Sequence, residues 1–172
     1  MVEIEVKIRI EDISSIKEKI LSLGAVLVKE RHFEENTLYD LPSKKLFSMK
    51  HALRVRTAGR KTFLTFKGSP QKSRQFKIRE EYETEVKNLK HTQKILKALD
   101  LQPVVQYKKF RTQFRTKKIV ICLDETDAGH FLELEGQQSD IVRFANALGF
   151  SRQDFIKKDY IQLIEEKKKS ES

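Results

Sequence analysis

The chain has 172 residues, with 35 Lys+Arg against 25 Asp+Glu, a formal charge of +10 and charged residues at 35%. One cysteine, Cys122, excludes a disulfide framework and a cysteine-based metal site, and the longest apolar run, Ile119 to Leu123, is far too short to span a bilayer. The length suits one domain, read as residues 1–166 with a charged tail over 167–172, and the alternating N-terminus does not read as a leader. The expectation is a reduced, cytoplasmic protein with an anionic partner.

The chain opens on strict alternation: Val2, Ile4, Val6, Ile8 and Ile10 are apolar, while Glu3, Glu5, Lys7, Arg9 and Glu11 are charged. Period two predicts a strand with one face on the core. A helix follows over 12–23, with Asp12 as N-cap, Ile13, Ile16, Ile20 and Leu23 as the buried stripe, and Gly24 in the left-handed position beyond its end. Strands are predicted near 33–41, 51–58, 61–67, 75–86, 104–115, 117–124 and 130–136. Gly59-Arg60 suits a tight hairpin turn, and Lys44-Lys45 falls in a loop. Helices are predicted near 91–99 with Ile95, Leu96 and Leu99 inward, near 140–148 with Ser139 as cap and Gly149 as stop, and over 159–167.

Alternation also assigns each charge to a face. Glu3, Glu5 and Lys7 project together; so do Arg54 and Arg56, Thr65 and Lys67, and Glu133 and Glu135. Arg79, Glu81, Glu83 and Glu85 align on one long strand, and Lys109, Arg111 and Arg115 on another. A solvated strand face normally mixes in Thr, Ser, Gln and Tyr, whereas nearly every such position here is charged. Eight strands can close on themselves and remove their exposed edges. The expected fold is therefore α+β: a closed eight-stranded antiparallel β-barrel, a tunnel with a charged lining and its apolar side outward under helices. Arginine and lysine clusters suit a polyphosphate, because guanidinium forks grip phosphate oxygens two at a time. Carboxylates in the same space call for a cation, and oxygen ligands without a Cys or His cluster select Mg²⁺ or Mn²⁺.

Seven segments, in chain order, resemble the CYTH domain of the triphosphate tunnel metalloenzyme superfamily. They are Glu3-x-Glu5-x-Lys7, Leu38-Tyr39-Asp40, Ala52-Leu53-Arg54-Val55-Arg56, Thr65-Phe66-Lys67-Gly68, Arg79-Glu80-Glu81-Tyr82-Glu83, Lys109-Phe110-Arg111, and Leu123-Asp124-Glu125 running on to Phe131-Leu132-Glu133-Leu134-Glu135. The resemblance spans nearly the whole chain and departs from the family's pattern at Leu38. It implies metal held by Glu3, Glu5, Asp124, Glu133 and Glu135, and phosphates held by Lys7, Arg54, Arg56, Lys67, Lys109 and Arg111. Lys7, Lys109, Arg111, Glu81 and Glu83 form the implied catalytic set, and Lys158 the lysine that closes the tunnel.

Length and the Asp159-Tyr160 segment are most similar to the class IV adenylyl cyclases, which convert ATP to cyclic AMP and diphosphate. Related members hydrolyse tripolyphosphate, thiamine triphosphate or nucleoside triphosphates. The expected partner is a triphosphate-bearing small molecule such as ATP or tripolyphosphate, with a homodimer left open and no membrane partner. The rival, a non-enzymatic RNA or polyphosphate binder, rests on net charge alone. A nucleic-acid face is uniformly basic with aromatics interleaved, whereas these arginines share faces with acids. His32, His51, His91 and His130 lack metal-ligand spacing, Cys122 reads as a small buried thiol, and Gly68 and Gly129 form no phosphate cradle.

Overall fold

The N-terminal alternation forms the first stave of a barrel. The computed structural model describes residues 2–170, so residues 171–172 of the expected tail lie outside the described residues. The chain runs β1 (Val2–Ile10), α1 (Ile13–Ser22), β2 (Val26–Asp40), α2 (Lys45–Ser48), β3 (Ala52–Ala58), β4 (Lys61–Lys67), β5 (Lys77–Val86) and α3 (Leu89–Ala98). It continues through β6 (Gln102–Arg115), β7 (Ile119–Thr126), β8 (Gly129–Gly136), α4 (Gln138–Ala147), a 3₁₀ turn (Arg152–Asp154) and α5 (Tyr160–Ser170). The eight strands close in the order β1-β5-β4-β3-β2-β6-β7-β8, every pair antiparallel. The expected closed, eight-stranded α+β barrel is what forms.

The barrel is apolar outside and ionic inside. Val6, Ile8 and Ile10 of β1 join Phe114, Ile119, Ile121, Leu123, Leu132 and Leu134 on the outer surface, where Ile16 and Ile20 of α1 and Ile141 and Ala145 of α4 cover them. A second cluster sets Leu96 of α3 against Tyr39 and Val55. A third, with Phe131, Tyr160 and Leu163, seats α5 against the β7–β8 end of the barrel. Burying this outer face is the main drive for folding, and it leaves the charged face nowhere to go but inward.

Several boundaries differ from expectation. β2 begins at Val26 rather than near 33, and its first half pairs with β6 alone through two register shifts, so no clean alternation marks it. The Lys44-Lys45 loop contains the single turn α2. It is held by the Asp40 carboxylate, which accepts from the backbone N–H of Leu41, Leu46 and Phe47 at 2.7–2.9 Å. Leu23, Ile95 and Leu99 are exposed, so only Leu96 of the α3 triplet is buried. Asn88 caps α3 through the His91 N–H, and α4 starts after Gln137, with Ser139 inside the helix. α5 continues to Ser170, and Lys167 donates to the Asp127 carbonyl at 2.8 Å.

Candidate active site in the barrel interior

Inward-facing residues enclose a cavity of about 260 Å³. β1 contributes Glu3, Glu5 and Lys7; β3 Arg54 and Arg56; β4 Lys67; β5 Lys77, Arg79, Glu81 and Glu83; β6 Tyr107, Lys109 and Arg111; and β8 Glu133 and Glu135. Each set is spaced by two because a strand alternates its faces. Closure brings strands from both halves of the chain together: Glu5 opposes Glu135 across β1–β8 and Lys77 across β1–β5.

Most of these charges satisfy one another. Lys7 bonds Glu5 at 3.0 Å and Glu133 at 3.1 Å, and Lys67 bonds Glu3 and Glu81, both at 2.7 Å. Arg56 reaches Glu34 at 2.8 Å and Glu83 at 3.0 Å. Arg111 grips Asp124 with Nε and a terminal nitrogen, both at 2.6 Å, and reaches Glu133 at 2.9 Å. The shifts follow from these contacts. Burial and Glu133 would raise Glu5, but Lys7, Lys77 and Lys67 together outweigh them and hold the carboxyl at about 2. Glu34 is also held at about 2, by Arg111, Lys109 and Arg56 working against burial. Lys77 is lowered to about 8 because burial outweighs its neighbour Glu5.

Two kinds of group are left over. Arg54, Arg56 and Arg79 each keep a buried Nε–H without a hydrogen-bond partner, and Arg79 forms no ion pair or hydrogen bond among the described residues. Glu135 likewise pairs with no described cation, and burial together with Glu133 and Glu5 pushes it up to about 7. Burial and Glu5 push Glu3 up to about 8 despite Lys67. One tunnel thus holds guanidinium N–H groups short of an anion and carboxyl groups short of a cation.

The donor set fits a hard divalent ion, since it is all carboxylate oxygen and Glu135 is free of any ammonium. Among the described residues no three His, Cys, Asp or Glu side chains are already drawn into a metal cage, because lysines hold Glu3, Glu5 and Glu133.

The expected site residues mostly meet in this cavity, with two exceptions. Lys158 points away and pairs with Glu166 at 2.7 Å on the surface. Its place is taken by Tyr160, whose hydroxyl donates to Asp124 at 2.5 Å and whose ring lies 5.0 Å from the Lys7 ammonium and 4.8 Å from that of Lys109. Asp124 is fully buried behind this ring, with both oxygens taken by Arg111, Lys109 and Tyr160, so it braces the cations.

Sequence reasoning left out Glu34, Lys77 and Arg79 as site residues and gave His32 no role in the site. His32 stands on the cavity wall with Nε2 3.1 Å from Glu34. Arg79 was legible, sharing its face with Glu81 and Glu83; Glu34 and His32 were hidden by the irregular first half of β2. Cys122 is buried as expected but faces the cavity, and burial pushes its thiol up to about 12.

The CYTH domain family matches residues 1–169. A Methanocaldococcus jannaschii protein named "Putative adenylate cyclase" is 29% identical over 95% of this chain and 98% of its own length. A Vibrio parahaemolyticus structure described as "a putative adenylate cyclase" superposes with a TM-score of 0.87 at 20% identity, covering 96% of this chain and 98% of its own. A Hippeastrum protein, described as a "putative adenylyl cyclase" with a dominant triphosphatase activity, superposes with a TM-score of 0.71 at 18% identity, covering 96% of both chains.

Proposed function

The chain belongs to the CYTH domain family, and on that premise we propose that it is a metal-dependent enzyme that cyclises ATP to cyclic AMP and diphosphate inside the barrel. The observation that carries the triphosphate reading is the set of guanidinium groups at Arg54, Arg56 and Arg79, each with a buried Nε–H donor to spare. A triphosphate supplies the missing acceptors, and forked donors bind its oxygens two at a time.

In this reading Arg54, Arg56, Arg79, Lys109 and Arg111 hold phosphate oxygens, and Asp124 keeps Arg111 and Lys109 in place. With Lys7 and Lys67 turned to phosphate, Glu3, Glu5, Glu133 and Glu135 would be the residues to hold a divalent ion. That ion supplies charge neutralisation at the phosphates when bound. Tyr160 and Phe131 seat α5 against one end of the barrel and limit water there. The attacking ribose 3′-hydroxyl gives its proton to a β5 carboxylate, Glu81 or Glu83, as its oxygen bonds to the α-phosphorus, and the bond from that phosphorus to the oxygen bridging to the β-phosphate breaks. The fixed guanidinium and ammonium groups stabilise charge on the departing diphosphate, so catalysis is chiefly positioning and electrostatics.

The arginine row grips the triphosphate whatever is attached to it. Hydrolysis of a triphosphate, by water at the γ-phosphorus, is therefore the second reading. Incubating the pure protein with ATP or tripolyphosphate and Mg²⁺ or Mn²⁺, then identifying products, separates them. Cyclic AMP with diphosphate supports cyclisation, orthophosphate supports hydrolysis, and release of neither sinks the enzymatic reading.

A further inference from the structure

At one end of the Arg56–Arg54 row the cavity wall changes character. Leu38 of β2, Ala52 of β3, Tyr107 of β6 and Ile161 of α5 are non-ionic in a lining that is otherwise mostly charged. Register makes the strand residues neighbours. Leu38 opposes Arg54, Ala52 lies two residues beyond Arg54 on the same face, and Tyr107 opposes Asn36, two residues before Leu38. Ile161 follows Tyr160, whose ring centroid is 6.1 Å from that of Tyr107. Tyr107 and Arg54 line the same cavity, which sets this corner beside the phosphate-gripping row.

Asn36 is the anomaly here. It is 0% exposed, and neither its amide oxygen nor its amide nitrogen has a hydrogen-bond partner. It falls on the inward face of β2 between Glu34 and Leu38, with Arg56 and Tyr107 as its register partners. Burying an amide with both halves unpaired is unfavourable, and a leucine of the same branched shape would carry no such penalty. A ligand that presents a donor beside an acceptor would satisfy both halves at once. The edge of adenine does this: its exocyclic amine and N7 pair with a single Asn amide. Guanine presents two acceptors at the same edge and cannot.

We propose that this corner is the subsite for the group attached to the triphosphate and that Asn36 reads that group as adenine, with the ring stacked on Tyr107. The inference rests on the triphosphate reading of the same tunnel and adds the base to it. Asn36 is buried just outside the cavity lining, so binding in this way requires the side chains around it to shift as the ring enters.

The test is equilibrium binding, by calorimetry in Mg²⁺, of methylene-bridged analogues of ATP, GTP and tripolyphosphate that resist cleavage. Wild type should prefer the ATP analogue to both others. Asn36→Leu should melt at or above wild type and reduce the ATP-over-GTP preference by about tenfold, the worth of one two-bond base contact. Tyr107→Leu should weaken both nucleotides relative to tripolyphosphate. The subsite is overturned if wild type binds the ATP and GTP analogues alike, or if tripolyphosphate binds tightly while both nucleotides are excluded. It is also overturned if Asn36→Leu lowers the melting temperature and leaves the preference intact, since Asn36 is then structural. Failure of wild type to bind any of the three rejects the triphosphate reading itself, and the subsite with it.

Discussion

Arg54 and Arg56 share one face of β3 but not one environment. Arg56 bonds both Glu83 and the fully buried Glu34, whereas Arg54 reaches Glu83 only at 3.5 Å. Replacing either with alanine should weaken triphosphate binding by about 1–3 kcal/mol, the scale of a charged hydrogen bond. Only Arg56→Ala should also lower stability measurably, because it strips Glu34 of its closest guanidinium partner. Parallel calorimetric titrations and urea melts check both halves; equal melts for the two variants would show that Glu34 does not depend on Arg56. Lysine at either site should restore binding only in part, since the fork is lost.

The tunnel acids divide in the same way. From sequence alone Glu3, Glu5, Glu133 and Glu135 look equivalent, four carboxylates that repel one another when no metal is bound. In the structure Glu5 is secured by Lys7 at 3.0 Å and Lys77 at 3.6 Å, so Glu5→Gln should destabilise the protein. Glu135 has no such partner, and Glu135→Gln should raise the melting temperature in chelator. The same variant should gain much less than wild type from added Mn²⁺, because metal stabilises the native state by mass action only where a ligand set exists. Identical Mn²⁺ responses in wild type and Glu135→Gln would remove Glu135 from the metal site.

At the scale of elements, most strands were legible because charge and apolar residues alternate along them without a break. α3 was legible in position but not in facing. Its apolar residues Ile95, Leu96 and Leu99 suggest one stripe, yet only Leu96 meets the barrel, against Tyr39 and Val55. Leu96→Ala should cost about 2–5 kcal/mol and Ile95→Ala under about 0.5, in matched urea unfolding curves. Gly136 ends β8 where a Cβ would stand 2.8 Å from both the Lys118 carbonyl oxygen and the Ile119 side chain. Gly136→Ala should therefore push β7 and β8 apart at that end and cost about 1–3 kcal/mol, visible as a lower melting temperature. α5 escaped full reading because its polar, lysine-rich end looks like a fraying tail, while its first residue, Tyr160, is buried and bonds Asp124 inside the barrel.

For the whole molecule, the closed ring of opposed charges makes stability depend on pH in two directions. Glu5 and Glu34, held at about 2 against an ordinary 4.5, contribute stability that is complete above pH 4.5 and is lost as pH falls towards 2. Glu135 works oppositely. Raised from 4.5 to about 7, it binds its proton more tightly in the folded state, so stability falls as pH rises from 4.5 through 7. The cost above pH 7 is on the order of 2 kcal/mol after solvent screening is allowed for. Glu3, raised to about 8, adds to the same decline. In chelator the protein should therefore be most stable near about pH 5, and Glu135→Gln should lessen the decline towards pH 8 without abolishing it. Thermal melts across pH 3–9 measure this directly; a wild-type curve that stays level from pH 5 to pH 8 would count against an unpartnered Glu135.

What the sequence determined by itself was the sidedness of the barrel and the chemistry of its lining. Those follow from alternation, which is a local property of each strand: Val6 and Ile8 must go one way and Glu5 and Lys7 the other. Tertiary structure alone decided which charges meet. Whether Glu135 finds a lysine, whether Arg79 finds a carboxylate, and whether Tyr160 or Lys158 enters the tunnel depend on closure of β1 against both β5 and β8 and on the seating of α5. Those are contacts between residues as much as 153 positions apart, such as Lys7 and Tyr160. Nothing in the local pattern around either residue specifies the other. The physical reason is that alternation fixes a direction, while an ion pair requires a distance, and only the closed sheet supplies the distances.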